Sequence, residues 1–402
     1  MEFGIFLNGY IPGPAAHDPA SEHTALMREA QYAIHADKFN WKYAWFGEHH
    51  ALAEYSHMSA PEVVMGYVAA QTSRIHLSTG ITSLPTVKEH PVRIAERAAM
   101  LDHICEGRFE FGTGRGAGSH EVASFNGLTT GETKSMWSEV IRQIPRMWEQ
   151  KDYTFEGEHF SVPTPHNILP KPYMAGHPPI WVACGNPATF GEAGSLGIGA
   201  IAFNFEPIHG LKGRIDAYKE AADQPTEIIG QYQNNNVMMT NAVICLEDRE
   251  RARDIAKSAG RGYLYSMVCL YHDTMPHREG TPRWPEPPIS VTDDATLDWL
   301  IEAGYLLCGT PEEVNEQIAR YQDVGCDQLV FGLPNEGFEH DEIIECIELF
   351  GNKVIPEYDT DPVHSTTHFR DTAQRKYPDF EFPLPEDLIR VEVIPGSALL
   401  PL

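Results

Sequence analysis

Residues 75–114, IHLSTGITSLPTVKEHPVRIAERAAMLDHICEGRFEFGTG, contain the pattern that decides the fold. The run at 75–81 is short, apolar and rich in β-branched residues, which is typical of a buried strand. A helix is predicted from Pro91 to about His103, and a second apolar run follows at 109–114. A strand, a helix and another buried strand in this order predict one unit of a parallel α/β sheet.

The same unit recurs along the chain. Further strands are predicted at residues 3–7, 43–46, 180–184, 199–203, 236–245 and 328–332, with helical patterns between them. Eight strand–helix units favour an α/β fold of the (β/α)8 TIM barrel type, and a doubly wound open sheet is the alternative. Two motifs predict helix starts: an S-x-x-E capping box at Ser59 and Glu62, and an N-cap at Thr310.

Three segments depart from this repeat. Residues 150–179 are predicted to form a small hairpin followed by a Pro-rich loop. Residues 260–300 form an inserted loop region before strand 8, and a long loop of this kind predicts a mobile lid. Residues 356–402 are Pro-rich and predict a C-terminal extension, either a surface-bound arm or a partly disordered tail. We therefore expect a barrel at 1–355 and an arm at 356–402.

Composition excludes several classes of partner. The 402 residues carry 30 Lys+Arg against 57 Asp+Glu, a formal net charge of −27. This balance argues against binding to nucleic acid or to an anionic membrane surface, because both require a basic face. The seven cysteines form no C-x-x-C pair and predict reduced thiols in a cytoplasmic protein. The sequence contains no run of 18 apolar residues, so no membrane-spanning helix is predicted.

The second predicted strand ends in Glu48, His49 and His50. In a TIM barrel the chemistry lies at the carboxyl ends of the strands, so these side chains are candidate catalytic groups. Histidines of a surface loop are an equally good interpretation of the tripeptide alone. Adjacent histidines on a strand point to opposite faces and share one metal ion poorly, so we expect no metal site.

Two further strand ends suggest a binding site for a phosphate. The strand at 109–114 runs into Gly114, Arg115 and Gly116, but no helix follows directly, which argues against a dinucleotide fingerprint. Arg115 beside glycines suits a mononucleotide better. The strand at 180–184 ends in Cys184, Gly185, Asn186 and Pro187, which open a helix whose N-terminal amides form an anion site or an ordinary turn.

Taken together, these pieces resemble the bacterial luciferase-like flavin-dependent monooxygenase family. The resemblance covers roughly residues 1–355 and rests on stretches in the same order as in the family. They are residues 3–7, 45–50, 84–86 with 90–93, 107–116, 309–313 and 331–332. The Glu-His-His tripeptide resembles the oxygenating branch of the family.

The resemblance implies an enzyme that uses reduced FMN and dioxygen to form a flavin hydroperoxide, which oxygenates a small apolar substrate such as an aldehyde or ketone. It implies acid/base work for His49 and a second polar contribution from His50. It places Gly80 and Ile81 at a non-prolyl cis peptide beside the ring. It also implies that Gly114, Arg115 and residues 184–187 contact the cofactor.

Partners and alternatives are implied by the same resemblance. We expect a separate flavin reductase that supplies reduced FMN, and a homodimer that uses the early helices. A deazaflavin-dependent or other non-oxygenating oxidoreductase on the same barrel is one alternative function. A non-catalytic flavin-binding accessory subunit is another, and the presence of His49 argues against it.

Overall fold

A computed structural model describes residues 1–373, except for 12–14, 16–17, 53–54, 117, 127, 130, 174, 204–206, 259–292 and 335–336. In chain order the strands are Glu2–Leu7 (β1), Tyr43–Phe46 (β2), His76–Thr79 (β3), Thr82–Ser83 (β4), Phe109–Gly114 (β5), Tyr153–Glu156 (β6), Ser161–His166 (β7), Ile180–Cys184 (β8), Gly199–Phe203 (β9), Val237–Cys245 (β10), Leu307–Gly309 (β11) and Gln328–Gly332 (β12).

The helices lie between and after these strands. They are Pro19–Ala36 (α1), Pro61–Ala69 (α2), Pro91–Ile104 (α3), Ser119–Ala123 (α4), Thr133–Glu149 (α5), Pro187–Ser195 (α6), Ile208–Asp223 (α7), Arg249–Ser258 (α8), Asp294–Ala303 (α9), Pro311–Asp323 (α10), His340–Leu349 (α11), Ile355–Tyr358 (α12) and Ser365–Asp371 (α13). A π-helical turn at Phe350–Val354 joins α11 to α12.

Eight parallel strands close into a barrel. Neighbours pair in the order β1, β2, β3, β5, β8, β9, β10 and β12, and β12 pairs back onto β1. The predicted (β/α)8 barrel is therefore confirmed, and the open sheet is excluded because no edge remains in this ring. The short strand β4 extends the pairing of β5, and β11 pairs with β10 outside the ring.

Large apolar side chains fill the middle of the barrel. The cluster consists of Phe6, Tyr43, Trp45, Trp181, Ile201, Met238 and Val330. Alternate residues of each strand point inward, and the others pack against the surrounding helices, so the barrel has a solid interior. Chemistry is thereby confined to the two ends of the barrel.

Most predicted elements are found, with two corrections. The hairpin is confirmed as antiparallel β6 and β7. The capping box at Ser59 is wrong: α2 begins with Ala60 as its N-cap and has no side-chain cap, because the methyl group of alanine cannot accept a hydrogen bond. The predicted lid lies outside the described residues up to residue 292, and α9 begins two residues later, so the end of that segment is helical.

The described part of the C-terminal extension is embedded in the barrel floor, at the amino ends of the strands. The backbone N–H and hydroxyl of Ser365 donate to the carboxylate of Glu2, at 2.8 and 2.6 Å. Thr366 is fully buried, and its hydroxyl donates to Glu110 at 2.5 Å. Residues 365 and 366 thus cap polar groups that would otherwise face open water. The proposed domain boundary at residue 355 stays a prediction.

A buried carboxyl lies at the centre of this floor. Glu110 accepts hydrogen bonds from the indole N–H of Trp181 at 2.7 Å and lies 2.8 Å from the His76 ring nitrogen Nδ1. Burial raises the pKa of Glu110 to about 8 and lowers that of His76 to about 3. The floor is therefore a closed polar layer under the apolar core.

No helix within residues 1–258 or 293–373, as far as they are described, is both long and apolar enough to cross a membrane.

Candidate active site at the carboxyl end of the barrel

The two candidate catalytic histidines lie on the loop that leaves β2. His49 is buried, and its backbone N–H donates to the carbonyl of Met58 at 3.1 Å. Its ring meets that of Tyr55 edge to face, with centroids 4.5 Å apart. His50 is partly exposed and packs edge to face on Phe125. The loop therefore fixes both imidazoles at the carboxyl end of the barrel.

Glu121, on the short helix α4, ties the two histidines together. Its Oε1 atom accepts the backbone N–H of His50 at 2.9 Å and lies 3.6 Å from Nδ1 of His49. Burial lowers the pKa of His50, and the carboxylates of Glu121 and Glu62 oppose that shift. The neutral imidazole of His50 is therefore favoured near neutral pH, a form that can accept a proton.

Gly80, Ile81 and Gly114 form a tight group at the ends of β3 and β5. The peptide bond between Gly80 and Ile81 is cis, as the resemblance implied. A Cβ atom added at Gly80 would lie 2.9 Å from the Phe6 ring, and one added at Gly114 would lie 2.6 Å from Cδ1 of Ile81. Because a larger residue would displace these neighbours, both positions favour glycine.

Arg115 follows directly at the end of β5 and faces helix α6. Burial lowers the pKa of its guanidinium, and Glu192 on α6 opposes that shift. Helix α6 begins with Asn186 as its N-cap, whose Oδ1 accepts the backbone N–H of Thr189 at 3.2 Å, and with Pro187 in its first turn. The N-terminus of this helix is exposed, and its amides carry partial positive charge.

The four predicted residues around the start of α6 differ in their exposure. Gly185, Asn186 and Pro187 are exposed, and a Cβ atom at Gly185 would meet nothing within 4 Å. The Cys184 thiol is buried and donates to the carbonyl of Val182 at 3.4 Å. Its side chain packs in the core between strand and helix, and its assignment to the cofactor stays a prediction.

His50 and Arg115 line one small pocket of about 10 Å³. Ser83, Lys88 and Glu121 line it too, although no sequence motif pointed to these three residues. Glu121 carried no signal because α4 is only five residues long. Ser83 and Lys88 lie in a stretch whose sequence is that of an ordinary turn, so their neighbours became apparent only from the folded chain.

This arrangement supplies imidazoles that can move protons and a guanidinium for an anion. Among the described residues, no group of three or more His, Cys, Asp or Glu side chains is arranged to hold a metal ion.

Comparisons with known proteins place this site in context. A family model described as luciferase-like monooxygenase matches residues 1–328. The chain is 25% identical over 363 residues to limonene 1,2-monooxygenase of Rhodococcus erythropolis, covering 90% of this chain and 87% of that protein. It is 29% identical over 334 residues to an F420-dependent glucose-6-phosphate dehydrogenase of Kineococcus radiotolerans, covering 81% and 92%.

A solved structure supports the fold. The oxygenating constituent of 3,6-diketocamphane monooxygenase from Pseudomonas putida, a type II Baeyer–Villiger monooxygenase solved with FMN, superposes with a TM-score of 0.70. The two chains are 20% identical, and the match covers 90% of this chain and all of the other. At this identity the likeness concerns the barrel alone.

Proposed function

Since the chain belongs to the luciferase-like monooxygenase family, whose model matches most of its length, we propose that it is the oxygenating component of a two-component FMN-dependent monooxygenase. Its substrate is a small apolar organic molecule such as an aldehyde or ketone. The convergence of His50 and Arg115 on one small pocket carries the proposal, because Glu121 in the same pocket lies 3.6 Å from His49 and so brings both imidazoles close to an anion-binding group. When bound, reduced FMN supplies the reaction with dioxygen.

The residues present fit a flavin mononucleotide. Arg115 and the N-terminus of α6 suit the phosphate, since a guanidinium and helix amides both bind anions. Gly185 leaves open space there. The flat ring is proposed to lie against the tightly packed group formed by Gly80, Ile81 and Gly114, as the family resemblance implies.

The two histidines have different tasks in this proposal. His49 is the acid/base group, because it is buried beside Glu121 and a buried imidazole exchanges protons without competing solvent. His50 contributes a polar group on the cavity wall. The Tyr55 ring packs on His49 and helps to exclude water.

Oxygen consumption coupled to substrate oxygenation tests this function. We expect turnover with reduced FMN supplied by a separate reductase, and we expect His49→Ala to lower it by roughly 100-fold or more, the usual contribution of general acid/base catalysis. His166→Ala, on the exposed β7, serves as the matched control and retains turnover. Undiminished oxygenation by the His49 variant contradicts the acid/base assignment.

One observation favours a second function. The F420-dependent relative matches at 29% identity, so a reductase that uses a reduced deazaflavin shares this barrel. Anaerobic turnover with reduced F420, together with no oxygenated product from reduced FMN and dioxygen, would establish that alternative instead.

The expected partners fit the same proposal. A separate flavin reductase is needed because reduced FMN must reach the site from outside. A second copy of the chain fits helices α2 and α3, which expose a stripe of apolar side chains: Val63, Tyr67, Met100 and Ile104. The six cysteines that the structure describes are free and buried, and a cytoplasmic location stays a prediction.

A further inference from the structure

A buried ion pair lies directly against His50. Lys88, on the loop between β4 and α3, contacts Oε1 of Glu48 with its ammonium group. The two side chains are only 12% and 3% exposed. The same Oε1 atom lies 3.0 Å from Nε2 of His50. One carboxylate oxygen therefore serves a lysine and an imidazole at once.

The lysine decides the state of this imidazole. Beside an ammonium group, Glu48 stays ionised and can only accept hydrogen bonds, so the proton of a neutral His50 must lie on Nε2. Without the ammonium group, the imidazole would be the cation in contact with this buried carboxylate, and it would be drawn towards the charged form. The ammonium group of Lys88 and a protonated His50 are therefore alternative cationic partners of the Glu48 carboxylate.

Other charges face the same groups from every neighbouring element. Those acting on His50 are Glu121 of α4 and Glu62 of α2. Those acting on Lys88 are Arg97 of α3, Glu89 of its own loop, and Glu121. Burial and Arg97 lower the pKa of Lys88 to about 8, against the two carboxylates, so Lys88 keeps its charge through neutral pH.

We propose that Lys88 is a positioning residue which, through Glu48, holds His50 as a neutral, Nε2-protonated imidazole on the wall of the pocket that it shares with Arg115. The substitution Lys88→Met leaves His50 more readily protonated. The catalytic consequence rests on the proposed monooxygenase function: the variant loses turnover at pH values where the wild type still reacts. The structural consequence does not depend on that function.

The decisive measurement is a titration of His50 by NMR in protein labelled with 13C at the histidine ring, without cofactor, and with the His50 signal assigned through His50→Asn. We expect Lys88→Met to raise the titration midpoint by about one pH unit or more, the usual effect of losing a charge partner. Lys88→Arg retains a cation and restores the wild-type midpoint. Equal midpoints in wild type and Lys88→Met overturn the proposal.

The Glu48→Gln variant serves as a second background for the Lys88 substitutions. It separates an effect transmitted through the Glu48 carboxylate from a general disturbance of the structure by Lys88→Met. It removes the shared carboxylate, so Lys88→Arg and Lys88→Met in that background should leave the midpoint of His50 unchanged. A shift there overturns the route through Glu48.

The pH dependence of kcat/KM with reduced FMN separates the two claims. If the pH at which kcat/KM falls on the acid side rises in Lys88→Met, together with the NMR midpoint of His50, the proposal stands in full. If the NMR midpoint moves but that pH does not, the catalytic part is overturned. If the midpoint moves but no variant oxygenates any substrate, Lys88 still controls His50 and the proposed monooxygenase function fails.

Discussion

Arg115 brings a local positive charge to a chain whose formal net charge is −27. An anionic ligand approaching this surface meets overall repulsion, so attraction must come from groups within a few ångströms. The guanidinium and the N-terminus of α6 provide it, because both present N–H donors towards the same side of the barrel. Together they would let an acidic protein bind the phosphate of the proposed FMN.

His177 gives a residue-level prediction about stability. Its Nε2 accepts the backbone N–H of Gln231 at 3.0 Å, and its Nδ1 lies 2.8 Å from the carbonyl of Pro178. This pattern requires the neutral ring, and burial lowers the pKa of His177 to about 4. As pH falls below about 6.5, the unfolded chain takes up a proton that the folded chain refuses until about pH 4.

We therefore expect the free energy of unfolding to fall across that window, with a slope of up to about 1.4 kcal/mol per pH unit from this residue. His177→Gln should flatten the slope, as measured by urea unfolding at several pH values. His166→Gln is the matched control on an exposed strand. A slope that His177→Gln leaves unchanged would show that acid lability arises elsewhere.

At the scale of elements, two similar motifs have different outcomes. The hydroxyl of Thr310 accepts the backbone N–H of Glu313, and the Glu313 carboxylate accepts the backbone N–H of Thr310, so this capping box forms. Ser59 has the same spacing to Glu62, but Ala60 is the N-cap there. A capping motif works only where its first residue ends the extended segment, and sequence spacing does not reveal that point.

This difference predicts unequal effects of two alanine substitutions. Thr310→Ala should lower the free energy of unfolding by about 1 kcal/mol, because an N-terminal amide of α10 loses its acceptor. Ser59→Ala should change it by less than about 0.5 kcal/mol, since no cap is lost. Chemical unfolding of both variants measures the contrast. Equal losses would refute the cap assignment.

Barrel strands were the most predictable elements. Strands of a parallel sheet are buried on both faces, so they appear as short continuous apolar runs, and β2, β8, β9 and β12 end at the predicted residues. Strand β11 escaped prediction because it is only three residues long. Helix α9 was hidden inside the segment interpreted as a lid, where aromatic residues and prolines masked its pattern.

The site was partly predictable for the same reason. His49, His50 and Arg115 follow strand ends, and a parallel barrel brings all such ends to one face. Lys88 and Glu121 lie on a loop and on a short helix, and their convergence depends on the path that these segments take through space. Hydrophobic periodicity fixes which elements form but leaves the paths of loops undetermined.

For the whole molecule, the C-terminal segment closes the barrel floor through a buried ion pair. The guanidinium of Arg370 on α13 donates to both carboxylate oxygens of Asp102 on α3, each at 2.8 Å. Their side chains are 3% and 0% exposed. The backbone N–H of Tyr173 also donates to Asp102. Three distant parts of the chain therefore meet at one carboxylate.

Breaking this pair should destabilise the protein strongly. Arg370→Met leaves Asp102 buried with no guanidinium, which costs about 3–5 kcal/mol in the free energy of unfolding. Adding Asp102→Asn removes the stranded charge and should recover part of the loss. Lys212→Met, at an ion pair whose side chains are 56% and 59% exposed, should cost less than about 1 kcal/mol. A small loss in Arg370→Met would show that α13 does not hold the floor.

The apolar stripe on α2 and α3 tests the proposed homodimer. Val63 and Tyr67 are 71% and 49% exposed, and Met100 and Ile104 are 49% and 47% exposed. Each pair is spaced four residues apart, so both pairs form a ridge along a helix, and the two helices are adjacent. Side chains of this size gain about 1.5–3 kcal/mol each when fully buried. A second copy that supplies the same ridge would bury both faces by symmetry.

We expect Tyr67→Glu and Met100→Glu to convert a wild-type dimer into a monomer, because each places a charge in the centre of an apolar interface. Trp299→Glu is the matched control, since Trp299 is 56% exposed on α9 and lies outside the ridge. Sedimentation equilibrium at one protein concentration compares the three variants with the wild type. A monomeric wild type, or a dimer that only Trp299→Glu dissociates, would assign the subunit contact to another surface.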